Sequence, residues 1–235
     1  MPKNAPVFVR PHPEPSATGF DRVAWCYDAL ARLVFGRAQQ RAQLAALAAL
    51  PPGAPQVLIL GGGTGWVLTE VLRLRPAAAV LYLEASPRML GRARARLQRL
   101  APAAGTQVEF RQGTQSRLLP TEGFDAILTF FVLDCLAAAD VAPALARLRA
   151  ALRPGAPWLL ADFRPARRGW RRLLLVLMYA FFRLATGLRA RELPNLRQLL
   201  GQQGLRRAQR HVFFGGAMEG AVFYARNSPA SVQKK

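Results

Sequence analysis

The segment 57–65, with the sequence VLILGGGTG, constrains the fold more than any other part of the chain. A short apolar run that leads directly into closely spaced glycines is typical of a buried parallel strand followed by a tight turn. Glycine allows the backbone to turn sharply and to approach a ligand without an intervening side chain. A helical pattern follows from Val67, so the free N–H groups of that helix are predicted to face the same loop. The sequence therefore predicts a strand, a ligand-binding loop and a helix in succession.

The spacing of the glycines narrows the kind of ligand. A dinucleotide-binding loop has the pattern GxGxxG, which would require a glycine at position 66, where this chain has Trp66. The chain instead has the pattern GxGxG at Gly61, Gly63 and Gly65. This pattern favours a ligand that has no pyrophosphate.

The rest of the chain alternates short apolar runs with helical patterns. Strands are predicted at 56–60, 79–84, 108–111, 124–131 and 158–163, and helices at 20–36, 39–50, 67–74, 88–100, 141–151 and 195–203. Two further strands, at 205–214 and 218–225, are joined through Gly215 and Gly216 and are predicted to form an antiparallel pair. We expect an α/β, Rossmann-like, doubly wound sheet of seven strands, parallel with an antiparallel last strand, with helices on both faces and extra N-terminal helices.

The domain organisation follows from where this alternation begins and breaks off. We expect a flexible arm at 1–17, a single domain at 18–226 and a loose tail at 227–235. Residues 164–191 interrupt the alternation and contain the uncharged run LLLVLMYAFF at 173–182, with arginines on both sides. This run is too short to span a bilayer, which requires about 20 residues. It is predicted to be a core helix, an apolar lid over a hydrophobic substrate, or a helix on a membrane surface.

The chain is strongly basic, with 33 lysines and arginines against 13 acids and a net charge of +20. Compositional bias is as good an explanation of this excess as attraction to nucleic acid or to an anionic membrane, because the arginines are spread along the chain. The two cysteines and two histidines form no ligand cluster, so no metal site is predicted. The first 16 residues have no apolar signal run, and we expect a cytoplasmic protein, with membrane association as an extension of that prediction.

A carboxylate follows the second predicted strand. Glu84 ends the run at 79–84. In nucleotide-binding βαβ units, an acid at this point accepts hydrogen bonds from both hydroxyls of a ribose. The glycine loop and Glu84 together predict a site for a nucleoside.

These motifs resemble those of the class I S-adenosylmethionine-dependent methyltransferases, and especially the ubiquinone/menaquinone-biosynthesis-like (methyltransferase type 11) branch. VLILGGGTG resembles the first motif, LYLEASPRML at 81–90 the second, VEFRQGTQSRLLP at 108–120 the third, FDAILTFFVLDCL at 124–136 the fourth and LRPGAPWLLADF at 152–163 the motif of the fifth strand. FDRVAWCYD at 20–28 is similar to the tyrosine-bearing helix that covers the cofactor in quinone-type members.

The resemblance implies a methyltransferase whose cofactor is S-adenosylmethionine. The residues implied to hold the cofactor are Gly61, Gly62, Gly63, Gly65, Glu84, Ala85, Thr114, Gln115 and Phe130. The chain departs from the family pattern twice: Ile59 stands where an acid helps to hold the methionine ammonium, and Thr114 stands where an acid binds adenine. Both departures remove a negative charge from the predicted site.

Two residues are candidates for the chemical step. Asp134 follows the fourth predicted strand and could act as a general base, or it could cap the next helix. Tyr27 could close over the cofactor, or it could pack beside Trp25. Asp162, at the end of the fifth predicted strand, either faces the pocket or caps the loop that follows.

The predicted activity is methyl transfer to an oxygen or carbon nucleophile of a small, apolar, quinone- or lipid-like acceptor. One alternative is methylation of RNA, which the charge of +20 favours, although no aromatic RNA-binding platform is evident. The other is a non-catalytic Rossmann-like binding or scaffold protein, which the losses of charge at Ile59 and Thr114 favour.

Overall fold

The computed structural model of the chain describes residues 35–164 and 194–226, together with residues 169, 172 and 176. The predicted arm, most of the predicted helix at 20–36, most of the insertion at 164–191 and the tail lie outside the described residues. Within the described part of the chain, no helix is long and apolar enough to cross a membrane.

The described residues form a seven-stranded sheet with five helices. The strands are β1 (Gln56–Leu60), β2 (Ala79–Glu84), β3 (Val108–Gln112), β4 (Ala126–Phe130), β5 (Trp158–Phe163), β6 (Leu205–Phe213) and β7 (Met218–Ala225). The helices are α1 (Ala38–Leu47), α2 (Trp66–Leu74), α3 (Pro87–Leu100), α4 (Ala138–Ala151) and α5 (Leu196–Gln202). The strand order is β3-β2-β1-β4-β5-β7-β6.

The direction of the strands matches the predicted sheet. Strands β1 to β5 pair in parallel, whereas β7 runs antiparallel to both β5 and β6. The predicted doubly wound sheet with an antiparallel last strand is therefore confirmed. β1 lies between β2 and β4, so the winding reverses there and the loops diverge at the carboxyl ends of β1 and β4, where such sheets bind ligands.

Successive residues of each strand point to opposite faces and build two hydrophobic cores. Val57 and Ile59 pack with α1, α2 and α3, whereas Leu58 and Leu60 pack with α4 and α5. Because both faces are covered, the inner parallel strands β1, β2, β4 and β5 are apolar at nearly every position, whereas the edge strand β3 is not.

Local signals account for where the helices begin. The Ser86 hydroxyl accepts a hydrogen bond from the N–H of Met89 at 3.1 Å, and Pro87 occupies the first helical position, so α3 starts directly after β2. Gly65 precedes α2 with a left-handed φ of 87°. Both helices therefore begin beside the loops at the carboxyl edge of the sheet.

Candidate active site

Two glycines of the loop after β1 are required by close packing. A Cβ atom on Gly61 would collide with the side chain of Val132, and one on Gly62 would collide with the ring of Tyr82. The Gly61 N–H also donates to the carbonyl of Leu83 at 2.8 Å, which ties the loop to β2. These glycines let the loop lie flat against its neighbours.

Gly65 and Gly63 differ in what they face. A Cβ atom on Gly65 would lie 2.8 Å from the Cα of Ala93, so this glycine allows α2 and α3 to approach each other. Gly63 has a left-handed φ of 62°, and apart from its two chain neighbours no described residue has an atom within 4 Å of the position where its Cβ would stand. Gly63 therefore borders open space, as the loop of a ligand cradle must.

Strand β2 holds Gly63 from both sides. The N–H of Gly63 donates to Oε2 of Glu84 at 3.0 Å, and its carbonyl accepts from the hydroxyl of Tyr82 at 2.9 Å. Oε1 of Glu84 accepts from the N–H of Ser86 at 2.9 Å. These contacts orient the buried carboxylate beside the loop, and each carboxylate oxygen has a second lone pair that can accept a hydroxyl hydrogen bond.

The loop after β3 lies next to Glu84. The N–H of Gly113 donates to the carbonyl of Glu84 at 2.9 Å. The Thr114 hydroxyl lies 3.0 Å from that of Ser116 and accepts from the Ser116 N–H at 3.4 Å, which caps the short 3-10 turn Gln115–Arg117. Thr114 and Gln115 are thus at the same edge as Glu84.

Two buried aspartates lie at the carboxyl ends of β4 and β5. Asp134 is in the 3-10 turn Leu133–Cys135, and Asp162 is the penultimate residue of β5. Their exposed fractions are 6% and 1%. Oδ1 of Asp162 accepts from the N–H of Phe163 at 2.8 Å, but its Oδ2 has no hydrogen-bond partner among the described residues.

Burial raises the pKa values of both aspartates. Loss of solvation raises the pKa of Asp134 to about 6. Loss of solvation and repulsion by Asp134 raise the pKa of Asp162 well above its usual range. At pH 7 Asp134 is therefore mostly ionised and more basic than an exposed aspartate, while the upward shift in the pKa of Asp162 favours its protonated form.

The thiol of Cys135 joins this acidic group. Its Sγ lies 3.5 Å from Oδ1 of Asp134, and burial with repulsion by Asp134, Asp162 and Glu84 raises the pKa of the thiol well above its usual range. Cys135 therefore stays neutral and donates a weak hydrogen bond to Asp134. Val132, two residues before Asp134, lies directly against Gly61, so the turn that carries Asp134 packs against the glycine loop.

Aromatic rings gather at the same edge. The ring of Phe163 lies 5.3 Å from that of Phe35 and 5.2 Å from that of Phe131, and Phe214 lies 5.7 Å from Phe35. We call Phe35, Phe131, Phe163 and Phe214 the aromatic cluster. Phe131 has a left-handed φ of 53°, so the chain turns sharply as it leaves β4.

A family model described as a methyltransferase domain matches residues 58–157. These residues include most of β1, all of β2 to β4, the glycine loop, Glu84 and Asp134. Residues 58–157 therefore match a methyltransferase domain. No curated protein sequence matches the chain.

Solved structures have the same fold as this methyltransferase domain. Mitomycin 7-O-methyltransferase MmcR is 22% identical, with 89% of this chain and 61% of that chain covered and a TM-score of 0.65. TnmH is 29% identical, with 87% and 58% covered and a TM-score of 0.63. Magnesium protoporphyrin IX methyltransferase (ChlM) from Synechocystis PCC 6803, solved with bound S-adenosylhomocysteine, is 20% identical, with 88% and 94% covered and a TM-score of 0.65. The chain thus spans 61% and 58% of the lengths of the first two proteins.

The predictions of a methyltransferase domain and of its fold are confirmed. The magnesium protoporphyrin IX methyltransferase has bound S-adenosylhomocysteine, which agrees with S-adenosylmethionine as the predicted cofactor. The ubiquinone-like branch stays a prediction. The residues of the methyltransferase domain fit this cofactor, because Gly63 borders open space and the Glu84 carboxylate beside it is positioned to accept hydroxyl hydrogen bonds.

The structure places the other predicted residues as follows. Phe130 is buried in the core beside Phe131, and Ala85 is half-buried after β2. Ile59 is 1% exposed in the core under the glycine loop, so its side chain contributes packing and not charge. Tyr27 lies outside the described residues.

The helix-cap interpretation of Asp134 is wrong. Helix α4 begins at Ala138 with Ala137 in the N-cap position, and no side chain caps it. Asp134 is separated from that helix because a 3-10 turn intervenes. Its carboxylate instead faces the thiol of Cys135 and the neighbourhood of Asp162.

Sequence reasoning missed the aspartate pair, Tyr82 and the aromatic cluster. The signal for the pair was present, because Asp134 and Asp162 follow parallel strands that end at the same edge. Tyr82 stands two residues before Glu84, on the same face of β2. No signal distinguished the rings of the aromatic cluster from the other phenylalanines of the chain, of which there are 13 in all.

Proposed function

We propose that the chain transfers a methyl group to an oxygen or carbon nucleophile of a small, apolar, quinone- or lipid-like acceptor. The observation that carries this proposal is Asp134, a carboxylate buried near Asp162 at the carboxyl edge of the sheet, which also holds the glycine loop and Glu84. An acidic group of this kind can accept a proton at neutral pH in a place that excludes water.

S-adenosylmethionine, when bound, supplies an electrophilic methyl group on a sulfonium centre. Glu84 would accept the hydrogen bonds of its ribose hydroxyls, and the loop at Gly63 leaves the space that such a ligand needs. The main-chain N–H groups of Gly63 and Ser86 donate to the Glu84 carboxylate, so this part of the site is formed before any ligand binds.

Asp134 is the group that would take a proton from the acceptor. A hydroxyl becomes a better nucleophile as its proton leaves, and a positioned base assists that transfer. With its pKa near 6, the carboxylate is mostly ionised at pH 7. Burial and repulsion by Asp134 favour the protonated form of Asp162, so Asp134 is the member of the pair that is assigned to proton transfer.

The aromatic cluster supports an apolar acceptor. Its four rings lie at the ends of β4 and β5, on the sheet edge that also holds the aspartate pair. Aromatic side chains provide a large apolar surface with defined stacking geometry. Two of the solved neighbours, the mitomycin 7-O-methyltransferase and the magnesium protoporphyrin IX methyltransferase, are named for small-molecule acceptors.

The proposal is tested in two steps with the full chain. Titration calorimetry with S-adenosylhomocysteine should show one saturable site. Labelled S-adenosylmethionine is then offered with a panel of hydroquinones, substituted phenols and anionic polar acceptors, and transfer to members of the first two groups is expected. A chain that binds S-adenosylhomocysteine but methylates only the polar acceptors would overturn the apolar assignment, and a chain that binds no S-adenosylhomocysteine would overturn the enzymatic one.

A further inference from the structure

A cavity of about 830 Å³ lies between helix α5 and the β6–β7 pair. Its size is within the range of about 300–1,000 Å³ that is usual for small-molecule sites. Four arginines line it: Arg197 on α5, Arg206 and Arg207 on β6, and Arg226 after β7. We call it the arginine cavity.

The arginine cavity is at the opposite edge of the sheet from the active site. Phe223, which lines it, pairs with Trp158 at the start of β5, whereas Asp162 pairs with Glu219 near the end of that strand. About 13 Å of strand separates these two levels, at about 3.3 Å per residue. A ligand in the cavity would therefore not occupy the methyl-transfer site.

Arginines outnumber acids among the described residues in and around the cavity. The carboxylate of Glu219 is 2.9 Å from the guanidinium of Arg210 and 3.5 Å from that of Arg164, so two arginines already share it. No acid is among the described residues that line the cavity. Burial lowers the pKa of the half-buried Arg207; attraction by Glu219 acts to raise it, and repulsion by Arg210, Arg197 and Arg164 acts to lower it further. A bound anion would relieve this repulsion.

The sequence of this part of the chain shows the same imbalance. From residue 164 to the end, thirteen arginines and two lysines are accompanied by only two acids, Glu192 and Glu219. Arginine presents paired N–H donors that match the oxygens of a phosphate group. The amides of Gln198 and Gln202 add neutral donors to the lining.

We propose that the arginine cavity is a second binding site, which takes the phosphate group of a phosphorylated small molecule or of a lipid headgroup. A phosphate carries up to two negative charges and can accept hydrogen bonds from several arginines at once. This site is distinct from diffuse attraction to the basic surface, because it is a cavity with a defined set of donors. It accounts for a local concentration of charge that methyl transfer to an apolar acceptor does not require.

The test is calorimetric titration of the full chain with sodium pyrophosphate at about 150 mM NaCl, where exposed charges farther apart than about 8 Å are largely screened. One saturable site is expected. The variant Arg197→Ala/Arg226→Ala should bind about tenfold more weakly or worse, because it loses charge-assisted hydrogen bonds. Both arginines are exposed, so their loss should not unfold the domain, and Arg207→Gln provides a second cavity variant.

The matched control is Arg92→Ala/Arg99→Ala on α3. These arginines are also exposed and the variant has the same net charge, so binding should change by less than about twofold if the cavity is the site. Equal weakening in both double variants would mean diffuse attraction and would overturn the proposal. S-adenosylhomocysteine binding should be unchanged in every variant, so this proposal and the proposed function can fail separately.

Vesicles distinguish the two sources of phosphate. Flotation is compared between vesicles that contain phosphatidic acid and vesicles of pure phosphatidylcholine. The site is assigned to a lipid headgroup if the wild type and the control variant float with the phosphatidic acid vesicles and the cavity variant does not. Saturable binding of pyrophosphate without such flotation assigns it to a soluble compound. The proposal is overturned if the chain binds neither pyrophosphate nor the phosphatidic acid vesicles saturably. It is also overturned if pyrophosphate does not bind and a short RNA binds equally to the cavity variant and to the control variant.

Discussion

Strand β4 has an aspartate near each end, and the two differ in protonation. Asp125, directly before β4, accepts hydrogen bonds from the N–H of Gln56 at 2.8 Å and from Arg153 at 2.7 Å. Burial acts to raise its pKa, but these hydrogen bonds more than offset it, so the pKa of Asp125 is lowered. Burial raises the pKa of Asp134 to about 6, and its hydrogen bonds are too weak to reverse that shift.

This contrast shows that the local donors of each carboxylate, and not the net charge of +20, decide its protonation. Asp125 has an arginine within hydrogen-bond distance, whereas no arginine among the described residues lowers the pKa of Asp134. The amino edge of the sheet therefore has ordinary ion pairs. The carboxyl edge has acids that can exchange protons near neutral pH.

The largest expected effect comes from replacing each of these two aspartates by asparagine in matched variants. Asp134→Asn should lower kcat about 100-fold or more, because the general base is lost while its shape is kept. Asp125→Asn should leave kcat within about twofold, because that residue is far from the reacting atoms. Steady-state kinetics with the acceptor identified in the panel measure both. Retention of full activity by Asp134→Asn would remove the base from the proposed mechanism.

The pH dependence of kcat should follow Asp134. The rate should fall as the pH falls through about 6, since protonated Asp134 cannot accept a proton, and by about tenfold for each pH unit below that point. Rates between pH 5 and 8 measure this dependence. A decline centred near pH 4 instead would show that the base has an exposed carboxylate's pKa, and the contrast with Asp125 would then disappear.

Loss of the ribose acid should have a smaller effect, on binding alone. Glu84→Gln should weaken S-adenosylhomocysteine binding about tenfold or more, because the charged acceptor of the hydroxyl hydrogen bonds is lost. Glu70→Gln is the control, since Glu70 pairs with Arg73 on the outer side of α2. Calorimetry of both variants measures the difference. Equal affinity in Glu84→Gln and the wild type would place the nucleoside elsewhere.

The smallest effect is expected on stability. Because folding raises the pKa of Asp162, protonation of this residue favours the folded state. That contribution to stability is full below the pKa of Asp162 in the unfolded chain, and it is lost as the pH rises through its pKa in the folded protein. Asp162→Asn is neutral at every pH and should melt a few degrees above the wild type at pH 7, with a smaller difference at pH 5. Thermal unfolding followed by circular dichroism at both pH values checks this. A melting temperature below the wild type at pH 7 would mean that Asp162 is ionised in the folded protein.

Much of the fold was predictable because its signals are local. The strands at 56–60, 79–84, 158–163 and 218–225 occur at the predicted residues, since apolar runs bounded by glycine, proline or polar residues mark buried strands. The fourth strand begins later than predicted, at Ala126, because Phe124 forms only an isolated bridge with Leu152 and Asp125 turns its carboxylate to the N–H of Gln56. Ends of elements depend on such neighbours, which a local pattern does not record.

The position of the candidate site was predictable from the sequence, but the different roles of its four glycines were not. The four glycines follow the same motif, yet Gly63 borders open space while the other three allow close packing against Val132, Tyr82 and Ala93. That difference depends on what each missing side chain would meet, which is a property of the packed structure.

The sequence by itself determined the order of strands, loops and helices, and with it the place of Glu84, because hydrophobic periodicity and glycine spacing are written in consecutive residues. The tertiary structure alone decided that Asp134 meets Asp162 and that four arginines surround one cavity. These groups are far apart in sequence and become neighbours only because β4 lies beside β5 and because α5 packs on the β6–β7 pair. Burial of the aspartates then raises their pKa values, and the arginines lie together with no acid among the described residues that line their cavity.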